Sequence, residues 1–238
     1  MISDFYDMHC HLVPGVDDGA KTLGDSMELL AKEYSDGVRR IILTPHRRRK
    51  MFMTDWETVL DRFAMLYSAS RKVYPDLRMK LGCEFHVHME MEEEIAQQQF
   101  RMGSSNYLLL EFSGTDTKGK FRERVQAAFQ EDCIPILAHI ERYPALFGDF
   151  ELIDELRHFG AKMQVNADSV IGKDGMAAKR FAWKLIKYDM LDFIGSDAHD
   201  ISSRPCRMGE CAALLEKKAG KGYAEHILIE NPEMIWEE

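Results

Sequence analysis

The chain has 238 residues, 45% of them hydrophobic, and a formal net charge of −9. This length and composition are enough to bury a sizeable core, so we expect one ordered domain spanning residues 1–238 rather than a disordered chain. The acidic balance argues against a nucleic-acid-binding protein, which normally presents a basic face.

The cysteine pattern and the apolar segments bear on the cellular setting. Five cysteines are scattered without C-x-x-C spacing, which favours a reduced environment over secretion. No apolar run approaches the length of a membrane span, so no membrane insertion is expected. A candidate ligand already at His9 leaves no room for a cleaved signal segment. These features predict a cytoplasmic protein.

Short apolar segments alternate with longer amphipathic segments along the chain. The first unit pairs a strand at FYDMHC with a helix from Thr22 to Asp36, which Gly37 ends. The second pairs a strand at VRRIILT with a helix from Thr54, where Thr54 and Glu57 have capping-box spacing. Further strands are predicted at RMKLGCE, NYLLLEF, IPILAHI, AKMQVNA and LDFIGSD. Seven such units predict a parallel α/β fold closed, or nearly closed, into a barrel.

Histidines and carboxylates recur where the predicted strands end. The set is His9, His11, Asp18, His46, Glu84, Glu111, His139, Asp197 and His199. The carboxyl ends of parallel strands meet at one mouth of a barrel, so we expect these side chains to converge. Any one histidine alone is more often an ordinary hydrogen-bonded residue. The whole set, however, suits two or three divalent ions.

Two further observations refine this metal hypothesis. Glu84, which we expect to close the third strand, and Glu111 both follow apolar runs, where an unpaired charge is costly to bury. A metal partner is therefore more plausible for them than for surface glutamates. His86 and His88 fall beyond the third predicted strand in a polar stretch, and we interpret them as solvent-exposed or rim residues.

A second group of side chains is cationic. Arg47 and Arg48 lie in the basic stretch after the second predicted strand, and Arg142 and Arg204 follow the fifth and seventh strands. Alone, a basic loop is more often a solvated surface. Beside a metal cluster, arginines predict an anionic substrate, and phosphate fits best because the guanidinium group matches its oxygens.

The motifs spread over nearly the whole chain in a specific order. They are H-x-H, D-D-G, T-P-H-R-R, G-x-E, L-x-E-F, A-H-I-E-R-Y, Q-V-N and S-D-x-H. This order closely resembles the bacterial PHP-domain (polymerase and histidinol phosphatase) protein-tyrosine phosphatases of the CpsB/YwqE type. The resemblance implies a distorted (β/α)7 TIM-like barrel with a trinuclear, typically manganese-dependent site. It also implies a substrate, the phosphotyrosine tail of a bacterial tyrosine kinase that regulates capsule or exopolysaccharide synthesis.

The same resemblance implies a division of the ligands among three ions. One ion would take His9, His11, Glu84 and Asp197, a second Glu84, Glu111 and His139, and a third Asp18, His46 and His199. Arg142 and Arg204 match the phosphate-contacting arginines of the family. The segment EFHVH departs from the family pattern, because tyrosine-rich residues are expected there.

The expected mechanism is attack on phosphorus by a hydroxide that bridges two ions. Arg142, Arg204 and a third ion would bind the remaining phosphoryl oxygens, and the candidates to assist the leaving oxygen are a metal-bound water and His199. Mixed nitrogen and oxygen ligands admit Fe, Zn or Mg as well as Mn. A thiolate mechanism is not expected, because no cysteine is followed six residues later by arginine.

Three alternatives remain at this point. The first is a small-molecule phosphoesterase such as a histidinol phosphatase. The second is an amidohydrolase-type enzyme, which also begins with H-x-H but would use a carboxylated lysine where this chain has Glu84 and Glu111. The third is a catalytically silent, metal-containing binding module, which the complete ligand set disfavours.

Overall fold

Short parallel strands form the sheet structure of the computed structural model, which describes residues 2–237. The strands are β1 (Phe5–Cys10), β2 (Val38–Leu43), β3 (His46–Arg47), β4 (Arg78–Leu81), β5 (Glu84–His86), β6 (Tyr107–Glu111), β7 (Ile134–Leu137), β8 (Lys162–Asn166) and β9 (Phe193–Gly195). They are arranged as β1-β2-β4 and β3-β5-β6-β7-β8-β9, and each neighbouring pair is parallel.

Backbone hydrogen bonds join these two sheets into one curled sheet. Where they meet, the amide of Glu84 donates to the carbonyl of Pro45 at 3.1 Å. Beyond β9, the amide of Asp197 donates to the carbonyl of His9 at 2.7 Å. The curling therefore brings the first and last strands together, although they are far apart in sequence.

The predicted second strand is followed, after a break, by a further short strand, and the predicted third strand is split in two. Pro45 lacks an N–H group and cannot donate to the ladder, so β2 ends at Leu43 and β3 begins at His46. The neighbouring strand β4 ends at the same level, at Leu81. The next strand, β5, begins at Glu84, which pairs with His46 of β3. The prediction that Glu84 closes a strand is therefore wrong, because it begins β5.

Helices follow most of the strands. They are α1 (Leu23–Asp36), α2 (Trp56–Val73), α3 (Glu92–Ile95), α4 (Lys118–Gln130), α5 (Phe150–His158), α6 (Ala167–Ile171), α7 (Met176–Lys187), α8 (Met208–Ala219), α9 (Lys221–Glu225) and α10 (Asn231–Glu237). A 3₁₀ turn covers Ile140–Arg142, and a π-helical turn covers His226–Glu230. Among residues 2–237, no helix has the length and apolar character needed to cross a membrane.

The first two helices show how local sequence sets their ends. The Thr22 side chain caps α1 by accepting from the amide of Asp25, and Gly37 ends it with φ 102°. The predicted capping box at Thr54 is wrong. Asp55 caps α2 instead, while the hydroxyl of Thr54 donates to a backbone carbonyl at 2.7 Å.

The apolar residues form two cores. The larger one lies between the strands and the helices. The smaller one gathers buried side chains of several strands with one residue of the C-terminal helix; its members include Met8, Ile42, Leu109, Ile136, Phe193 and Ile235. Strands packed on both sides become rigid supports for the polar residues that follow them.

Candidate metal centre

Two histidines at the end of β1 direct their Nε2 atoms toward one point. These atoms lie 3.3 Å apart, and both side chains are fully buried. Glu84 Oε2 lies 3.2 Å from His9 Nε2 and 3.1 Å from His11 Nε2. Asp197 Oδ1 lies 3.5 Å from each. Four donor atoms from distant parts of the chain therefore surround one position.

A second group of donors adjoins the first and shares His11. His46 and His199 each place Nε2 at 3.5 Å from Asp18 Oδ1. One donor atom from each of His11, Asp18, His46 and His199 lies within 4.8 Å of the other three. The Asp18 side chain is 46% exposed, so this side of the centre opens to solvent.

Glu84 connects the first group to a third. Its Oε2 atom lies 3.1 Å from His46 Nδ1, which is 3.8 Å from Glu111 Oε2. Its other oxygen, Oε1, lies 2.8 Å from His139 Nε2. The resemblance grouped His139 with Glu84 and Glu111, whereas the structure places His46 beside both carboxylates and His139 beside Glu84. All nine predicted ligand residues thus belong to one connected cluster.

Several buried donor atoms in this cluster lack a hydrogen-bond partner. They are Nδ1 of His46 and His139, Nε2 of His199, and Oε2 of Glu84 and Glu111. Atoms that share one ion through bonds of 2.0–2.1 Å lie about 3.0–3.4 Å apart. The 3.1 and 3.2 Å contacts of Glu84 Oε2 fall in this range. The donor set therefore fits divalent ions, which would satisfy the unpartnered atoms.

The protonation states also suit metal ligation. Burial lowers the pKa of His46 to about 4. Burial, together with the nearby His11, lowers the pKa of His199. Both imidazoles are therefore neutral near pH 7 and keep a lone pair for a metal. Burial and the charge of Glu84 raise the pKa of Glu111 to about 8, so an ion binding there would displace a proton.

Asp17 is a functional residue that the sequence analysis missed. Its Oδ2 atom lies 2.8 Å from His11 Nδ1 and accepts from the amide of His46 at 2.9 Å. Burial disfavours charge on His11, but Asp17 outweighs this and raises the pKa of His11. Such carboxylate contacts orient ligand imidazoles and select their tautomer. The D-D-G motif, in which Asp17 directly precedes the predicted ligand Asp18, is the sequence feature that could have indicated this role.

The Q-V-N motif supports the same ligands from β8. Gln164 Oε1 accepts from the amide of His139 at 2.6 Å and lies 3.4 Å from His9 Nδ1. The side-chain amide of Asn166 donates to Asp197 Oδ2 at 2.8 Å. These two amides hold three of the predicted ligand residues in position.

Backbone conformation is unusual at two predicted ligands. His139 has φ 33° and Asp197 has φ 54°, which is the left-handed region that non-glycine residues rarely adopt. Strained backbone of this kind concentrates at functional sites. Nearby, a Cβ atom on Gly195 would lie 2.5 Å from the Cβ of His9. Only glycine permits β9 to pass this close to β1.

Arg142 and Arg204 meet at the outer oxygen of Asp197. Each places a guanidinium nitrogen 2.8 Å from Asp197 Oδ2, whereas Oδ1 of the same carboxylate faces the histidines. Their side chains are 40% and 37% exposed. The two arginines therefore border the cluster and remain reachable from solvent.

Two arginines of the basic segment at β3, Arg47 and Arg48, lie in different environments. Arg47 pairs with Glu94 at 3.3 Å and lies over the ring of Phe100. Arg48 lies 3.9 Å from Glu111 Oε1. Of the two predicted substrate contacts, Arg48 thus faces the cluster, while Arg47 is engaged in a neighbouring ion pair.

His86 and His88 lie outside the cluster, as half-buried residues with polar partners. His86 Nε2 lies 3.0 Å from the hydroxyl of Ser113, and burial lowers its pKa to about 4. His88 Nε2 lies 3.4 Å from Glu94. They are consistent with rim residues rather than freely solvated ones.

Comparison with known proteins gives relatives that cover nearly the whole chain. Tyrosine-protein phosphatase CpsB of Streptococcus pneumoniae is 31% identical over 235 residues, covering 96% of this chain and 97% of that protein. Tyrosine-protein phosphatase YwqE of Bacillus subtilis is 29% identical over 231 residues, covering 96% and 90%.

Solved structures agree with these sequence relatives. A structure from the work on YwqE of Bacillus subtilis and CpsB of Streptococcus pneumoniae, described as unique metal-dependent tyrosine phosphatases, matches with a TM-score of 0.88 and 28% identity. It covers 98% of this chain and 94% of that one. The histidinol phosphate phosphatase of Lactococcus lactis matches with a TM-score of 0.62 and 18% identity, covering 92% and 95%, which shows a shared fold.

The family model described as capsular polysaccharide synthesis, CpsB/CapC, matches residues 5–237. Together with the CpsB relative at 31% identity, this match shows that the chain belongs to the CpsB/CapC family of capsular polysaccharide synthesis.

Proposed function

We propose that this protein is a metal-dependent protein-tyrosine phosphatase. The observation that carries the proposal is the buried cluster around Glu84, whose unpartnered donor atoms fit divalent ions beside two solvent-accessible arginines. Relatives at about 30% identity over nearly the full chain carry the name tyrosine-protein phosphatase.

The proposed centre holds two or three ions, with manganese the expected metal and Fe, Zn or Mg also suited to the ligands. The ligands are His9, His11, Asp18, His46, Glu84, Glu111, His139, Asp197 and His199. Bound ions would neutralise phosphoryl charge and lower the pKa of water so that it acts as the nucleophile. We also propose a seven-stranded barrel in a single domain, which the backbone bond between Asp197 and His9 supports.

The exposed arginines are proposed to bind the phosphoryl group. Arg142 and Arg204 converge on Asp197 Oδ2, so their remaining N–H groups are available to an oxyanion at the mouth. Fixed guanidinium groups stabilise the charge that spreads over phosphoryl oxygens in the transition state. Arg48, 3.9 Å from Glu111, is a further cation beside the cluster.

His199 suits metal ligation better than proton transfer. Its Nδ1 atom lies 2.9 Å from the backbone carbonyl of Asp197, which can only accept. The proton is therefore on Nδ1, and the unpartnered Nε2 carries a lone pair directed toward Asp18. We assign His199 to the metal centre rather than to protonation of the leaving tyrosyl oxygen.

The proposed substrate is the phosphotyrosine tail of a bacterial tyrosine kinase that regulates capsule or exopolysaccharide synthesis. Membership of the CpsB/CapC family supports the link to capsule synthesis. A kinase tail of this kind lies in the cytoplasm, so we propose that compartment for the enzyme.

The test is phosphate release from a phosphotyrosine peptide by chelator-stripped protein, with and without added Mn²⁺. We expect release only with metal, and a loss of most turnover in His139→Ala, whose fold is checked by circular dichroism. Histidinol phosphate serves as the comparison substrate. A rate on histidinol phosphate that exceeds the rate on the peptide, or full activity without metal, would contradict the proposal.

A further inference from the structure

A second group of potential ligands lies behind β1, away from the centre around Glu84. Asp7 of β1, Glu33 of α1 and Cys206, just before α8, each offer a donor atom, and these atoms lie within 4.8 Å of one another. All three side chains are 0% exposed. This group combines two carboxylates and a thiol in the interior.

The charge of this group is not balanced by the protein. Asp7 Oδ2 and Glu33 Oε2 are buried without a hydrogen-bond partner. The amides of His9 and Ser196 donate to Asp7 Oδ1, and the hydroxyl of Ser196 donates to Glu33 Oε1, so these hydrogen-bond donors are uncharged. Burying carboxyl groups without a compensating cation is costly. Either a shared proton or a bound cation is therefore required here.

Cys206 makes polar contacts in addition to its place in the larger apolar core. Its Sγ atom accepts from the amide of Met208 at 3.5 Å, whereas burial and the nearby carboxylates of Glu33 and Asp7 raise the pKa of the thiol. An ion that binds here would therefore displace the thiol proton. Asp36 Oδ2 lies 3.8 Å from the same sulfur and belongs to a residue that lines a surface cavity of about 380 Å³. Asp36 therefore contacts both the sulfur and this surface cavity.

We propose that Asp7, Glu33 and Cys206 bind a structural divalent cation of the zinc type, separate from the phosphatase centre. Thiolate ligands favour zinc over magnesium or calcium, and the two carboxylates would supply two further oxygen ligands. Asp7 Oδ1 accepts from the amides of His9 and Ser196. The ion therefore braces β1 and the segment after β9 against α1.

The test uses cobalt, because the ligand chemistry of the two centres differs. Co²⁺ bound to a thiolate gives a charge-transfer absorption in the near ultraviolet, which imidazole and carboxylate ligands do not give. We expect this band when Co²⁺ is titrated into the metal-free full-length protein. Cys206→Ser should lose the band, whereas the control Cys211→Ser, buried in α8, should retain it.

The result is independent of phosphatase activity. His139→Ala, altered in the other centre, should keep the band even when it hydrolyses no phosphotyrosine. Co²⁺ binding to wild-type protein without the band, or a band that survives Cys206→Ser, would overturn the proposal in favour of a shared proton.

A second measurement covers the case in which Cys206→Ser does not fold. Cadmium-loaded wild-type protein should show metal–sulfur scattering in X-ray absorption, and Glu33→Gln should bind Co²⁺ at least tenfold more weakly, as judged by the band. Absence of metal–sulfur scattering would also overturn the proposal.

Discussion

The contact between Asp17 and His11 shows how a carboxylate can orient a metal-binding histidine and fix its tautomer. Because Asp17 Oδ2 lies 2.8 Å from His11 Nδ1, the ring proton stays on Nδ1 and Nε2 is free for an ion. Asp17→Asn removes the charge but keeps the shape. We expect its affinity for Mn²⁺ to fall by about 10- to 100-fold, measured by competition with a fluorescent chelator.

The matched control for this prediction is Asp61→Asn, an exposed carboxylate on α2. It should bind Mn²⁺ like wild-type protein, because Asp61 lies outside the cluster. Wild-type affinity in Asp17→Asn would mean that the orientation of His11 is set by packing alone.

At the scale of elements, the loop after β3 separates two arginines that look equivalent in sequence. Arg48 faces Glu111, whereas Arg47 is held by Glu94 and Phe100. Arg48→Ala should lower kcat/KM for a phosphotyrosine peptide by about tenfold or more, as expected for loss of a charge-assisted hydrogen bond. Arg47→Ala should instead lower the free energy of unfolding and leave kcat/KM for a small aryl phosphate near the wild-type value.

Steady-state kinetics on both substrates and urea unfolding of both variants check this prediction. A loss confined to the peptide in Arg47→Ala would indicate that Arg47 docks the polypeptide part of the substrate. Equal losses in the two variants on the small aryl phosphate would contradict the division seen in the structure.

At the scale of the whole molecule, the metal centre joins the first strand to the last. His9 belongs to β1, and Asp197 follows β9, so ions held between them should oppose unfolding. Binding to the folded state alone contributes about 2.7 kcal/mol at a ligand concentration 100-fold above Kd, which corresponds to a Tm increase of about 5–10 °C in a domain of this size.

Differential scanning calorimetry of chelator-treated protein, before and after addition of Mn²⁺, measures this effect. His139→Ala should show a smaller increase, because its centre lacks one proposed ligand. Identical Tm values with and without metal, at saturating Mn²⁺, would argue against ions that link the two ends of the sheet.

Sequence patterns predicted local features well where short-range chemistry decides them. Thr22 and Gly37 bound α1 as predicted, because capping depends on residues a few positions apart. Prediction failed for Glu84 and at the start of α2. Glu84 begins a strand because Pro45 interrupts the neighbouring one, and Asp55 caps α2 because Thr54 bonds to another loop. Both outcomes depend on contacts distant in sequence.

The sequence by itself determined the family, the alternating strands and helices, and the residue types suited to divalent ions, since these follow from motif order and hydrophobic period. Only the tertiary structure decided which donors meet. The curled sheet places His46 between Glu84 and Asp18, sets Asp17 behind His11, and separates Arg48 from Arg47. The physical reason is that ligand geometry depends on distances of a few ångströms between strands, which strand curvature, backbone strain and close glycine packing determine together.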